Sequence, residues 1–386
     1  MEVKQVYEYV NEATKRALGE GNYTLAEDLT GIVDVGTALY NANAVENFTR
    51  TLVDKIGRTI FVDRVYKGDM LSVLKTKVEY GSVTEKISGE IPDAEENESW
   101  ELMDGASYDP NIFYGSKVNV KFFNGKKSFE IPISITDRQL KSAFTNAETM
   151  IRFVSMLFNN VSKSMTIKTE QLIKATIQNM IGETIYNEYQ DTDKSLKSGA
   201  RAVNLLKLYK DETGDNSVTA TNYMVKPEFI RYAVSKIADY MRFIKSPSRI
   251  FNIGGKVRFT TEEYLHLILL SQFKNKAKVY LESNTFNKEL VALPNSEEVT
   301  YWSGTGTGYE LAETSKVNVK TSENHDVNVT NVIGVLFDVD ALGVQNEEPR
   351  ITSQYNAKAE FTNYWHKWDA NYFNDFDENF VVFFVA

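Results

Sequence analysis

A chain of 386 residues is longer than one compact core usually runs and implies two or three structural units. Its 42% hydrophobic and 25% charged residues are those of a globular protein, and 43 Lys and Arg against 53 Asp and Glu leave a net charge of -10, which argues against a broad nucleic-acid-binding surface. Cysteine is absent, which excludes disulfides, thiolate metal sites and a cysteine nucleophile.

The first segment has helical spacing at Val3, Val6, Tyr7, Val10, Ala13 and Ala17. Four glycines between Gly19 and Gly36 break it, and a second helix is predicted from Ala42 to Ile56, ended by Gly57. Together they read as an arm that packs either on its own chain or on a partner. The start Met1-Glu2-Val3-Lys4-Gln5 has no basic region followed by an apolar run, and no stretch approaches the length of a membrane span.

From Thr59 the pattern turns to β, with Thr59-Ile60-Phe61-Val62 and then Leu71, Val73, Val78, Tyr80 and Val83. Between Ile87 and Pro110 stand eight acids, Glu90, Asp93, Glu95, Glu96, Glu98, Glu101, Asp104 and Asp109, with no Lys or Arg. Such a run repels itself and reads as a solvated loop, although Trp100 inside it suggests a contact point. Val118, Val120 and Phe122 resume the β pattern. Asn124-Gly125 predicts a hairpin turn into Phe129, Ile131, Ile133 and Ile135. Basic residues return here as Lys117, Lys121, Lys126, Lys127, Arg138 and Lys141.

Thr145 with Glu148 has the form of a capping box. No Gly or Pro interrupts Asn146 to Ile181, and Ile151, Val154, Phe158, Val161, Met165 and Leu172 lie on one apolar stripe. This predicts a helix of roughly 54 Å, several times the usual length. The stretch from about 195 to 345 reads as a mixed α/β unit, with helices over Ala200–Tyr209 and from Pro227 to Phe243. Thr260 with Glu263 predicts a further helix through Leu270. Strands are predicted at Lys278–Leu281, Glu289–Ala292, Val299–Trp302 and Val332–Phe337. The glycine-rich Ser303–Gly308 lacks the Gly-Lys-Ser/Thr of a phosphate loop and reads as a hairpin loop. From Tyr355 to Ala386 eleven aromatics accumulate, and Phe380-Val381-Val382-Phe383-Phe384-Val385 predicts a strand buried on both faces after an alternating strand through Gln354–Phe373.

Chemistry is not visible. There is no Gly-x-Ser-x-Gly and no His-Glu-x-x-His, and His266, His325 and His366 are scattered. His366, in Trp365-His366-Lys367-Trp368-Asp369, reads as packing rather than catalysis. Asp93, Glu95 and Glu96 lack calcium-loop spacing. No metal, cofactor or catalytic residue is expected, and the chain is not expected to be an enzyme.

The order of elements, from a glycine-broken helical arm through a two-armed β excursion, an uninterrupted long helix and a mixed α/β unit back to long C-terminal strands, resembles the major capsid proteins of tailed bacteriophages, the Hong Kong 97-type fold. The ending Tyr364-Trp365 and Ala370-Asn371-Tyr372-Phe373-Asn374-Asp375-Phe376-Asp377-Glu378-Asn379-Phe380-Val381-Val382-Phe383 is similar in style. The resemblance implies an α+β fold with an N-terminal arm at 1–58 and an extended loop at 59–138. A peripheral domain would occupy 139–194 and 336–375, with its spine helix at 145–182, and an axial domain 195–335 and 376–386. It implies self-assembly into pentamers and hexamers of an icosahedral shell around phage DNA, gripped only by weak nonspecific contact. Scaffolding, portal and decoration proteins would be partners, the scaffolding separate from this chain. The place would be the virion, assembled in the host cytoplasm with no membrane. Glu90, Asp93, Glu95, Glu96, Glu98, Trp100 and Glu101 would lie against a neighbouring subunit, with Lys117, Lys121, Lys126, Lys127 and Arg138 as counter-charges. An encapsulin-like compartment shell and a soluble α/β enzyme are the alternatives.

Overall fold

The structure is a computed structural model and describes residues 3–62, 71–75, 84–89, 104–105, 111–113, 115, 118–189, 198–282, 296–302 and 314–386. The chain divides into two compact units, each assembled from three separated segments. The first takes 1–81, 126–177 and 343–372, and the second takes 82–125, 178–342 and 373–386.

The first unit opens with three helices, α1 (Val3–Leu18), α2 (Ile32–Asn41) and α3 (Val45–Val62). The arm thus holds three helices where two were predicted: α2 was not foreseen, and it is parted from α3 by Asn43 in the left-handed region at φ 50°. The strand expected at Thr59–Val62 is instead the last turn of α3. Gly57 does not stop that helix, because a glycine inside a helix costs only about 1 kcal/mol, which an amphipathic helix absorbs. Leu71–Val73 forms a 3-10 turn rather than a strand, while Val78, Tyr80 and Val83 lie outside the described residues.

Strand β3 (Lys126–Thr136) and helix α4 (Asp137–Ala143) lead to the long helix α5 (Ala147–Tyr189). At 43 residues α5 exceeds the prediction at its C-terminal end. Its cap is also displaced by one residue: Asn146 Oδ1 accepts from Thr149 N–H at 2.9 Å, and Thr149 Oγ1 accepts from Asn146 N–H. The expected pair of Thr145 and Glu148 does not form the box, and Glu148 instead pairs with Arg152 one turn on. Gly182 lies inside the helix rather than ending it. It supplies close approach, since a Cβ there would run into the side chain of Val319.

The sheet of this unit is built around the fourteen-residue β12 (Phe361–Asn374), flanked in order by β10 (Leu342–Asn346) and β11 (Arg350–Asn356) and paired with β3. Its alternation places Thr362, Tyr364, His366 and Trp368 on the buried face. The core joins Val6, Val10, Phe48, Leu52, Phe144, Met150, Val154 and Leu157 to Tyr364 and Trp368. Phe144 packs against Gly36, where any Cβ would overlap its ring.

The second unit is organised on a mixed five-stranded sheet in the order β4-β13-β9-β5-β6. Its strands are β4 (Ala202–Asn204), β5 (Leu265–Leu270), β6 (Glu297–Val299), β9 (Val332–Asp338) and β13 (Phe380–Phe384). Helices α6 (Leu205–Thr213), α7 (Pro227–Phe243) and α8 (Ser271–Glu282) accompany it, with a hairpin of β7 (Val317–Lys320) and β8 (Asp326–Val329) and a ribbon of β1 (Thr84–Gly89) and β2 (Val118–Phe123). α7 and the buried strands β9 and β13 match the sequence closely.

Five expectations do not hold here. The helix opened by Thr260 and Glu263 is one 3-10 turn followed by β5. Leu265-His266-Leu267-Ile268-Leu269-Leu270 is apolar enough to lie between β9 and β6, and Thr260 Oγ1 donates to Asp338 Oδ2 at 2.8 Å instead of capping. Lys278–Leu281 belongs to α8, the predicted helix at 200–209 begins with β4, and the strand at 299–302 is β6, which stops at Val299. Asn124-Gly125 does not close a hairpin: β2 pairs with β1, and β3 joins the sheet of β12 over eleven residue pairs. Glu289–Ala292 and Ser303–Gly308 lie outside the described residues.

Candidate functional site

The β1–β2 ribbon has two unlike faces. Thr84, Lys86, Ser88, Asn119, Lys121 and Phe123 are half-buried, while Ile87, Val118, Val120 and Phe122 stand exposed, Ile87 at 66% and Phe122 at 65%. Lys86 and Lys121 are directly opposite each other in the register. Like charges in that position destabilise a strand pair, so the ribbon needs anions beneath it.

The turn between β12 and β13 supplies them. Asp375, whose side chain is only 2% exposed, takes Lys86 Nζ on Oδ2 at 2.8 Å and Lys121 Nζ on Oδ1 at 2.7 Å. Lys86 also reaches Glu378 Oε1 at 2.9 Å and donates to the Asp340 carbonyl at 3.2 Å, and Lys121 reaches Asp377 Oδ2 at 2.6 Å. Arg258 Nε stands 3.4 Å from Glu378. The turn is fixed by Asp375 N–H donating to the Ala341 carbonyl and by Asp377 N–H donating to Asp375 Oδ1. Phe123 and Phe373 add a ring contact at 5.2 Å.

The charges respond as this geometry requires. Burial raises the Asp375 carboxyl, but the bonds from Lys121 and Lys86 outweigh it and hold the group below the usual range. For Glu378 burial dominates the pull of Lys86 and Arg258, with Asp338 adding to it, and the carboxyl is raised. Burial lowers Lys86, yet Asp375 and Glu378 more than reverse this and leave its ammonium raised. The arrangement is an electrostatic clasp: it fixes one face of the ribbon and leaves the other to solvent.

Of the residues expected at subunit contacts, Glu90, Asp93, Glu95, Glu96, Glu98, Trp100, Glu101 and Lys117 lie outside the described residues. Lys121 is engaged in the clasp. Lys126, in the first unit, pairs with Glu347 at 3.0 Å and Asp369 at 3.5 Å. Lys127 and Arg138 are exposed and make no ion pair among the described residues. Lys86, Arg258 and the acidic turn escaped the sequence reading. Asp375, Asp377 and Glu378 are visible as a short acidic run, but Lys86 is 289 residues away from Asp375, and no local spacing could join them.

His366 is 4% exposed and its Nε2 has no hydrogen-bond partner. Burial pushes its pKa down to about 4 against an upward pull from Asp54, so the ring is neutral packing. Among the described residues no group of three or more His, Asp or Glu side chains is placed to hold a metal ion. Nor is any helix among them long and apolar enough to cross a membrane.

A ribbon presenting bare apolar side chains on a charged footing suits a chain that finishes its packing against other chains. The profile of the Phi29-like phage major capsid protein family matches residues 10–384. The chain belongs to that family. The family is one of phage major capsid proteins, and nothing among these matches supports the compartment-shell alternative. A major capsid protein of Bacillus phage GA-1 is 21% identical over 187 residues, which are 48% of this chain and 38% of the relative. The alignment thus spans well under half the length of that relative. Among solved structures, the capsid of Staphylococcus phage Andhra is similar at TM-score 0.49 and 9% identity, with 84% of this chain and 86% of the other covered. The capsid of the cyanophage P-SCSP1u is similar at TM-score 0.45 and 11% identity, covering 84% and 90%. At these scores the structural likeness adds nothing to the family assignment. The observed α+β mixture agrees with the fold class read from the sequence.

Proposed function

We propose that this capsid protein closes into an icosahedral shell of the Hong Kong 97 type. Pentamers and hexamers form around an axial part at 195–335 and 376–386, next to a peripheral part at 139–194 and 336–375 and an arm at 1–58. The extended loop at 59–138 meets a neighbouring subunit. Its acidic residues Glu90, Asp93, Glu95, Glu96, Glu98 and Glu101, with Trp100, face cations of that neighbour, Lys127 and Arg138 among them. The role is structural and non-catalytic. Assembly runs in the host cytoplasm with scaffolding and portal proteins, and the product is the virion head around packaged DNA.

The observation that carries this reading is the ribbon. Ile87, Val118, Val120 and Phe122 form an apolar strip across two strands. Contiguous apolar surface of this kind marks an interaction site, and in a shell of identical subunits the occupant is a second copy of the chain.

Negative-stain electron microscopy of the purified full-length chain tests the reading. Closed particles of hundreds of subunits are expected; a stable monomer at high concentration would overturn it. Raised ionic strength should slow early assembly if the acidic segment is held by basic partners, and salt-independent assembly would remove that pairing.

A further inference from the structure

In the first unit, α1, α3 and β11 enclose a groove of about 530 Å³. Asn47, Arg50, Thr51 and Asp54 line it from one face of α3, being three, four and seven residues apart, which is helical same-face spacing. Arg16 enters from α1, and Arg350 and Ser353 from β11. Three arginines from three elements thus line one groove in a chain whose net charge is -10.

Their own partners use only part of their donor capacity. Arg16 gives one bond from Nη2 to Glu12 at 2.9 Å. Arg350 gives Nη1 and Nη2 to Asp369 at 2.7 and 3.4 Å. Arg50 is exposed and makes no ion pair among the described residues. Each guanidinium has five N–H donors, so several remain for a ligand, with the amide of Asn47 and the hydroxyls of Thr51 and Ser353 beside them. Among the described residues Asp54 is the one carboxylate that lines the groove. Arg16 and Arg350 each keep one carboxylate partner, so Arg50 is the cation of the groove that an anion would neutralise.

We propose that this groove binds the phosphate groups of a nucleic acid strand, independently of base sequence. The donor set supports phosphate. Arginine forks with neighbouring hydroxyl and amide groups form the backbone-contacting part of nucleic-acid interfaces, and the groove is far larger than one small anion needs. Among the described residues that line it there is no aromatic side chain to stack on a base. The assignment to nucleic acid, rather than another polyphosphate, rests on the capsid reading, because a shell encloses its genome.

Fluorescence anisotropy of the full-length chain with a labelled short duplex DNA, repeated over a series of salt concentrations, tests the groove. Affinity should fall as salt rises. Arg50→Gln should reduce the slope of log affinity against log salt by about 0.9, and Arg50→Gln with Arg16→Gln by about twice that. Lys163→Gln, an exposed change on α5 away from the groove, should leave the slope unchanged. Urea midpoints of all variants should match, which separates lost binding from lost folding. An unaltered slope in the double variant, or no binding by the wild type, overturns the proposal. Stronger displacement by polyglutamate than by unlabelled duplex also overturns it and reassigns the groove to an acidic protein segment. Micrographs of the same samples keep the two readings apart. Variants that form shells but bind less DNA support the groove, whereas a wild type that forms no shells removes the capsid reading while the salt slopes still decide the groove.

Discussion

Strand β13 and the β1–β2 ribbon belong to the same unit and are held in opposite ways. β13 lies between β4 and β9, all five of its residues are buried, and none carries a charge. Phe383 meets the ring of Tyr240 at 5.5 Å, and beyond the strand Asn204 bonds both the N–H and the carbonyl of Ala386. Among the described residues the ribbon has one pairing, rests on ammonium–carboxylate bonds and shows its apolar side chains to water. One element is complete within the chain. The other is held by charge in a position that leaves its apolar side chains exposed, and on the proposed function a neighbouring subunit completes its packing.

Phe383→Ala probes whether β13 is complete within the chain. If β13 is self-sufficient, the cost is that of emptying a core site, about 3–5 kcal/mol. Urea denaturation should show it whether or not the protein assembles. A loss below about 1 kcal/mol would mean that β13 too depends on neighbours.

The clasp comes next. Asp375→Asn keeps the shape but strips the charge that both lysines share, and leaves Lys86 and Lys121 opposed. With the lysines partly exposed the cost is about 2–3 kcal/mol, less than for a fully buried pair. Hydrogen exchange should localise the effect to the amides of β1 and β2. Adding Lys86→Met and Lys121→Met should restore part of the protection, because it removes the repulsion between the two opposed ammonium groups. Unchanged exchange in Asp375→Asn would show that the ribbon is held by something other than this charge.

A third test uses the first unit, whose buried sheet face holds a group that titrates. His366 has its pKa lowered from 6.5 to about 4. The unfolded chain therefore takes up the proton first as pH falls. The folded state keeps its full stability above pH 6.5 and loses it progressively toward pH 4, by about 2 kcal/mol at pH 5. In His366→Gln this part of the pH dependence should vanish, as followed by thermal melts between pH 8 and pH 5. A slope identical to the wild type would show that His366 is not what acid attacks.

The same contrast explains what the sequence made legible. Elements completed within the chain announce themselves locally: Pro227 starts α7, and the unbroken run at Phe380 reads directly as a doubly buried strand. β5 did not, because a six-residue apolar run fits a buried helix as well as a strand, and only its neighbours β9 and β6 decide. Asn124-Gly125 misled because a turn signal says nothing about whether a better partner, here β12, waits elsewhere. The clasp was invisible for the deeper reason that Lys86 and Asp375 meet only in three dimensions. Pattern reading finds residues that share one element's period, and a charge site built across elements has no period.

A substitution on the outer face of the ribbon should separate the stability of the chain from its assembly. Phe122 is exposed, so Phe122→Ser removes almost no buried area from the chain itself and should shift its urea midpoint by no more than about 0.5 kcal/mol. If the outer ribbon face is packed by a second copy, the same change removes an aromatic side chain from an interface repeated at every subunit, and aromatic contacts carry a large share of such interfaces. Particle yield measured by sedimentation should then collapse while the monomer's stability stands. Equal yields would mean that the strip is not part of a subunit contact. A stability loss as large as that of Phe383→Ala would mean that the ribbon is packed within the chain after all. Only the pairing of intact monomer with failed shell fits an element whose hydrophobic packing is supplied by its neighbours.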